Sequence, residues 1–218
     1  MDFSFELIKS YMPYFLRGTL VTIEISIISI IFGTIIGLFI SIGKMAKSRV
    51  IRTPFIWYIN FFRGTPLVVQ ILLVHFAVIP TITGKTNAFL AIITALSINA
   101  AAYISEIFRA GIQSIDRGQM EAARSLGMTH GQAMKLVILP QAVKRMIPPL
   151  GNEFVVLVKD SSLGAFIAAP ELMYWGKAMQ GEYYRAWEPY LTVALIYFIL
   201  TLTLTYILNF IERKVSTE

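Results

Sequence analysis

Apolar runs longer than about 20 residues leave a chain few ways to fold, because a bilayer interior accepts only backbones that satisfy their own hydrogen bonds. This sequence of 218 residues contains five such runs, at 19–43, 54–80, 88–110, 147–169 and 190–211. Only 15% of its residues are charged and 56% are hydrophobic, whereas a soluble domain is nearer to one quarter charged. The pattern predicts an all-α integral membrane protein, one transmembrane domain over 1–218 with about five membrane-spanning helices. Ahead of the first run, Phe5, Ile8, Met12 and Phe15 share one helical face, away from Glu6, Lys9 and Ser10. Residues 1–17 therefore read as a short helix lying in the membrane interface, and the start lacks the basic region of a cleaved signal peptide.

Within the first run, Ser29, Gly33, Gly37 and Ser41 recur every fourth position. Such a stripe lets another helix approach closely, here expected inside one subunit. The second run is interrupted by Gly64-Thr65-Pro66, since proline removes a backbone donor and disfavours helix just before it; it is otherwise long enough to cross with some tilt. Pro148-Pro149 reads as the start of the fourth span, and Ser161-Ser162-Leu163-Gly164 as its break. The aromatic residues between 170 and 189, Tyr174, Trp175, Tyr183, Tyr184 and Trp187, have the composition of an interfacial belt.

Several chemistries are excluded. The absence of cysteine removes disulfides, thiolate catalysis and thiolate metal sites. Two histidines, His75 and His130, cannot build a histidine-rich metal cluster, and His75 is expected to bond a neighbouring helix. Gly84-Lys85-Thr86 hints at a phosphate loop, but Ile79 stands where its first glycine belongs. The net charge of +6 flanks apolar runs and forms no stripe, which fits membrane topology better than nucleic-acid binding. Assigning the 44–52 loop, the 109–145 loop and the tail to one side gives that side twelve basic residues. The other side keeps five, Lys9, Arg17, Lys85, Lys177 and Arg185. The positive-inside rule then places the N-terminus outside and the C-terminus in the cytoplasm.

Residues 118–140 form a polar, basic segment that cannot sit in lipid. Glu121, Ala122 and Ala123 favour helix, Gly127 permits a turn, and Ala133, Met134, Val137 and Ile138 restart an apolar face before Leu139-Pro140. This helix–turn–helix resembles the coupling loop of type I ABC importer permeases at Glu121, Ala122, Ala123, Gly127, Leu139 and Pro140; Val137 departs, standing where isoleucine is usual. Phe62-Arg63-Gly64-Thr65-Pro66, Leu139-Pro140-Gln141-Ala142 with Ile147-Pro148-Pro149-Leu150, and Val158-Lys159-Asp160-Ser161-Ser162-Leu163 are similar to the polar amino-acid (histidine, arginine, glutamine) branch of that family. The resemblance implies a type I importer permease fold with a cytoplasmic coupling helix in a bacterial cytoplasmic membrane. It implies a non-catalytic subunit without cofactor, with ATP bound by a partner ATPase pair that docks on Glu121, Ala122, Ala123, Arg124, Gly127, Leu139 and Pro140. A second permease copy, identical or paralogous, and an extracytoplasmic amino-acid-binding protein complete the implied assembly.

Charge inside a bilayer is costly and is seldom retained without a use. Glu153 and Asp160 lie seven residues apart, nearly two helical turns, so both project from one face of the fourth span. An acidic face at mid-depth suits a cationic solute, and Glu153 argues for arginine, lysine or histidine as cargo. The backbone at Ser161, Ser162 and Leu163 could hold the solute's carboxylate. Asn99, Tyr103, Leu67 and Gln70 are candidates for the opposing wall. Two other readings stand beside this one: a structural ion-pair network in which Lys159 or Arg63 neutralises the carboxylates, and an ion-coupled secondary transporter or channel that works without an ATPase.

Overall fold

The computed structural model describes residues 3–216, so Met1, Asp2, Thr217 and Glu218, the ends of the expected domain, lie outside the described residues. Among the described residues ten α-helices follow one another in the order α1 (Phe5–Lys44), α2 (Arg49–Gly64), α3 (Leu67–Leu73), α4 (Ile79–Thr83), α5 (Ala88–Gln113), α6 (Arg117–Ser125), α7 (His130–Ala133), α8 (Leu139–Asp160), α9 (Leu172–Tyr183) and α10 (Trp187–Ser216). Five-residue π-helical turns, Val74–Val78 and Met134–Ile138, join α3 to α4 and α7 to α8, and a 3₁₀ helix, Ser161–Ile167, follows α8. The described residues contain no strand, as an all-α membrane protein requires.

Helices α1, α5 and α10 are each long and apolar enough to cross a bilayer, and α2 with the helices from Leu67 to Thr83 makes a fourth, bent candidate. The fifth expected span, 147–169, falls in α8 and the 3₁₀ helix. Three charged residues, Glu153, Lys159 and Asp160, interrupt its apolar character, and α8 is sheltered by contacts with α1, α5 and α10.

The core is built on α1 against α5. Ser29, Gly33, Gly37 and Ser41 are all buried along this seam. A Cβ on Gly37 would stand 3.0 Å from the Ala101 carbonyl oxygen and 3.0 Å from Ile104 Cγ2, so the expected packing within one subunit is what the stripe does. Gly37→Leu is therefore expected to force α1 and α5 apart and to destabilise the fold by about 1–3 kcal/mol. A drop in the detergent thermal-unfolding midpoint checks this, with the exposed Gly131, which has nothing within 4 Å of its Cβ position, as the neutral control.

Four boundaries differ from the sequence reading. The expected division between an interfacial helix at 1–17 and a span at 19–43 is absent: α1 runs unbroken for 40 residues with Pro13 inside it. At about 60 Å it is twice the thickness of a hydrocarbon core. Its first half is held by protein, with Tyr11 and Phe15 packed on Leu172 and Met179 of α9, a helix the sequence reading treats only as an aromatic belt. The second run does break at Thr65-Pro66 as expected, but its halves meet at 107° and do not form one tilted rod.

The third and fourth differences concern proline. Leu139-Pro140 does not end a helix, and Pro148-Pro149 does not start one; all lie in a continuous helical run from His130 to Asp160. Proline inside an α-helix collides with the carbonyl four residues earlier. Here the Leu139 N–H donates to Met134 O, five residues back, and the Ile79 N–H donates likewise to Val74 O. Each π turn widens the helix directly ahead of a proline, Pro140 or Pro80, and makes room for the ring. His75 lies in the first of these turns, buried, with Nδ1 unpaired and its ring edge-to-face on Phe76 at 4.6 Å between centroids, so the expected bond to a neighbouring helix is not made.

Candidate functional site

The bend at Pro66 creates a chemical problem whose solution positions the site. In an unbroken helix the Phe62 carbonyl would accept from the N–H of residue 66, and proline has none. Gln70 and Asn99 supply the missing donors. Asn99 Nδ2 donates to Phe62 O at 3.1 Å and to Gln70 Oε1 at 2.9 Å. Gln70 Nε2 donates to Phe62 O at 3.0 Å, Thr65 O at 3.1 Å and Thr65 Oγ1 at 2.9 Å. Both side chains are buried. Two residues expected on a binding wall are thus bolts across the bend, and they fix α3 against α5.

Beside these bolts lies a cavity of about 270 Å³, lined by Thr65, Leu67, Asn99, Tyr103, Glu153, Val156, Leu157 and Asp160. The structure therefore brings together Leu67, Asn99 and Tyr103 with both carboxylates of α8, as the spacing predicts. Glu153, Val156, Leu157 and Asp160 follow the i, i+3, i+4, i+7 pattern of one helix face. Thr65, Val156 and Leu157 were not read from the sequence as site residues; their positions beside Pro66 and on the carboxylate face were the available signal.

Other expected residues stand apart. Gln70 lies behind the bend. Ser161 is fully buried, and its Oγ donates to Val158 O at 2.8 Å. Leu163 packs against the main core, and Ser162 is half-buried outside the cavity lining. The chain does not break here but tightens into the 3₁₀ helix, where the Ser161 N–H still donates to Leu157 and Lys159 carbonyls. The expectation of free amide groups for a carboxylate is corrected accordingly: the helix reverses only at Ala168, with φ 56°.

Neither Lys159 nor Arg63 forms an ion pair with the carboxylates. Lys159 is exposed, and the Arg63 guanidinium lies over the Tyr103 ring, 5.2 Å from its centroid. The ion pairs recorded among the described residues include neither Glu153 nor Asp160. A larger cavity of about 520 Å³ shares Tyr103 and Glu153 with the first and extends past Arg63 and Glu106 to Arg145. The two cavities, which share Tyr103 and Glu153 in their linings, mark a route along α5 and α8.

At the far end of that route the helix–turn–helix forms as expected. The Asp116 side chain accepts from Gly118 N and caps α6. The helix then ends at Gly127, whose φ of 86° only glycine adopts without strain. Bonds from Gly127 N to Arg124 O at 3.0 Å and from Met128 N to Ala123 O at 3.2 Å close a Schellman turn. Thr129 and Gln132 cap α7 reciprocally. Glu121, Ala122, Arg124, Gly127, Leu139 and Pro140 are exposed, whereas Ala123 is buried. The surface also presents Leu126, 82% exposed, and Leu136, 62% exposed. These two leucines escape a reading confined to the motif positions.

A family model described as "Binding-protein-dependent transport system inner membrane component" matches residues 29–217. The arginine transport system permease protein of Bacillus subtilis (strain 168) is 38% identical, and the similarity covers 100% of both chains. The glutamine transport system permease protein of Escherichia coli (strain K12) is 34% identical over 99% of each. Among solved structures, a crystal structure of an amino acid ABC transporter with histidines superposes with a TM-score of 0.92 at 42% identity, over 98% of this chain and 100% of that one.

Proposed function

Because this chain belongs to the binding-protein-dependent transport system inner membrane component family, and is a permease subunit of an amino-acid ABC importer, we propose that its cargo is a basic amino acid. The observation that carries this reading is the cavity holding Glu153 and Asp160 together, with no cationic side chain paired to either among the described residues. Two carboxylates facing one space of about 270 Å³ favour a single solute bearing an additional positive charge. Tyr103 lines the same space, and its ring already carries one guanidinium, that of Arg63. That site chemistry would accept the side chain of arginine in the same way. The arginine permease and the histidine-containing transporter structure among the relatives agree with this class; the glutamine permease is the competing case.

The rest of the mechanism is inferred on the same footing. Two copies of this permease, or this one and a paralogue, enclose the route. A separate ATPase pair docks on the exposed face of α6, and a binding protein delivers solute at the opposite membrane face, with the N-terminus outside and the coupling segment in the cytoplasm. ATP binding draws the two α6 helices together and opens the route outward. Solute then moves because the site binds it differently in the two states. Membership in a binding-protein-dependent family leaves the ion-coupled alternative without support. The test is ATP-driven uptake into proteoliposomes holding permease, ATPase and binding protein. Arginine, lysine or histidine should be taken up in preference to glutamine; equal rates for arginine and glutamine would overturn the assignment of cargo.

A further inference from the structure

Where α1, α2 and α5 reach one membrane boundary, a third cavity of about 460 Å³ is lined by Lys44, Met45, Arg52, Ile56, Arg109 and Gln113. It is separate from the route described above. Three of its six walls are cationic and none is acidic. One carboxylate stands behind them: Glu106 Oε1 accepts from Lys44 Nζ, and Glu106 Oε2 accepts from Arg109 Nη2 at 2.8 Å. Arg109 Nη1 donates to Gln113 Oε1 at 2.5 Å. Glu106 therefore fixes two of the three cations in place but offsets only one charge. The Arg52 side chain makes no hydrogen bond or ion pair among the described residues, and the first turn of α2 contains no acidic residue.

We propose that this cavity binds the phosphate-bearing headgroup of an anionic phospholipid. Lys44 ends one membrane-spanning candidate, Arg109 and Gln113 end a second, and Arg52 opens the bent pair, so the cations sit at headgroup depth whichever leaflet this is. Ile42, Val50 and Ile51, close in sequence to its lining residues Lys44 and Arg52, are exposed, as is Met45 of the lining, and offer acyl chains an apolar margin. Basic pockets between helices at a membrane face recognise lipid phosphates through this combination of charge and boundary position. Because Lys44 and Arg109 are already held by Glu106, a phosphate would meet a largely preformed site, with Arg52 closing on it.

The test is native mass spectrometry of the full-length permease, purified in detergent and exchanged with phosphatidylglycerol or phosphatidylcholine. Phosphatidylglycerol should be retained preferentially. Arg52→Gln should lower that retention about five-fold, the effect of one basic residue at a lipid surface, without lowering thermal stability. Arg49→Gln, outside the cavity, should leave it unchanged. Equal retention of the two lipids, or equal losses in the two variants, would overturn the proposal. Displacement of the lipid by soluble glycerol phosphate would overturn it as well, since the site would then serve a free phosphate.

Discussion

Glu153→Gln is expected to lower ATP-driven arginine uptake by roughly 10- to 100-fold while leaving glutamine uptake near its starting rate. The substitution keeps the shape and hydrogen-bonding reach of the side chain and removes its charge. A hydrogen bond to a charged group is worth about 1.5–3 kcal/mol, which at about 1.4 kcal/mol per tenfold gives that range. The loss should appear as a raised KM, since the interaction forms when solute occupies the cavity. Folding should be unaffected: Glu153 has no ion-pair partner among the described residues, so no internal contact disappears with its charge. A purely structural carboxylate would behave in the opposite way, with a lower unfolding midpoint and equal losses for both solutes. Unchanged arginine uptake by a stable variant would end the case for a cationic cargo. Asp160→Asn, on the same face of α8, should act in the same direction.

What the sequence could reveal here followed from regular spacing. The small-residue stripe on α1, the carboxylate face of α8, the break at Gly64-Thr65-Pro66 and the turn at Gly127 are each local patterns with one physical cause, and each is present in the structure, the break as a far sharper bend than a tilted span requires. The misreadings arose where a long-range contact changed the meaning of a local signal. Pro140, Pro148 and Pro149 would normally bound a helix. A π turn before Pro140 instead lets the helix run on past that residue, with Pro148 and Pro149 inside the same helix, and no pattern of residue types announces that turn. Gln70 and Asn99 carried the signature of buried polar groups in a span, which points to a binding wall. Only the bend shows that the orphaned Phe62 carbonyl claims their amides. Apart from Leu163, Ser161-Ser162-Leu163-Gly164 consists of weak helix formers, yet helical bonding survives there in 3₁₀ form. The first span's interfacial preface failed because α9, far along the chain, gives Tyr11 and Phe15 a protein surface to bury against.

Glu121→Lys is expected to weaken coupling strongly while leaving the permease folded. The motif on α6 is split by burial: Ala123 faces inward at 4% exposure, while Glu121, Ala122 and Arg124 face outward beside the bare Leu126. An exposed acidic residue on a surface that also bears an exposed leucine is a suitable anchor for a partner protein, and reversing its charge should cost at least about 2 kcal/mol, the scale of an interface hot spot. Uptake should fall by roughly 30-fold, and the ATPase should no longer co-purify in stoichiometric amount. Ala123→Glu separates docking from folding. A carboxylate forced into that buried position has no partner and must leave it, so α6 should detach from the body and become sensitive to protease. The two variants would then fail in different assays. Because α6 is capped at both ends and closed by the Gly127 turn, it can move as a unit, and the continuous run from His130 to Asp160 joins it to the helix that carries Glu153 and Asp160. Normal ATP hydrolysis and solute import by a complex of ATPase and Glu121→Lys permease would show that force reaches the cavity by another surface.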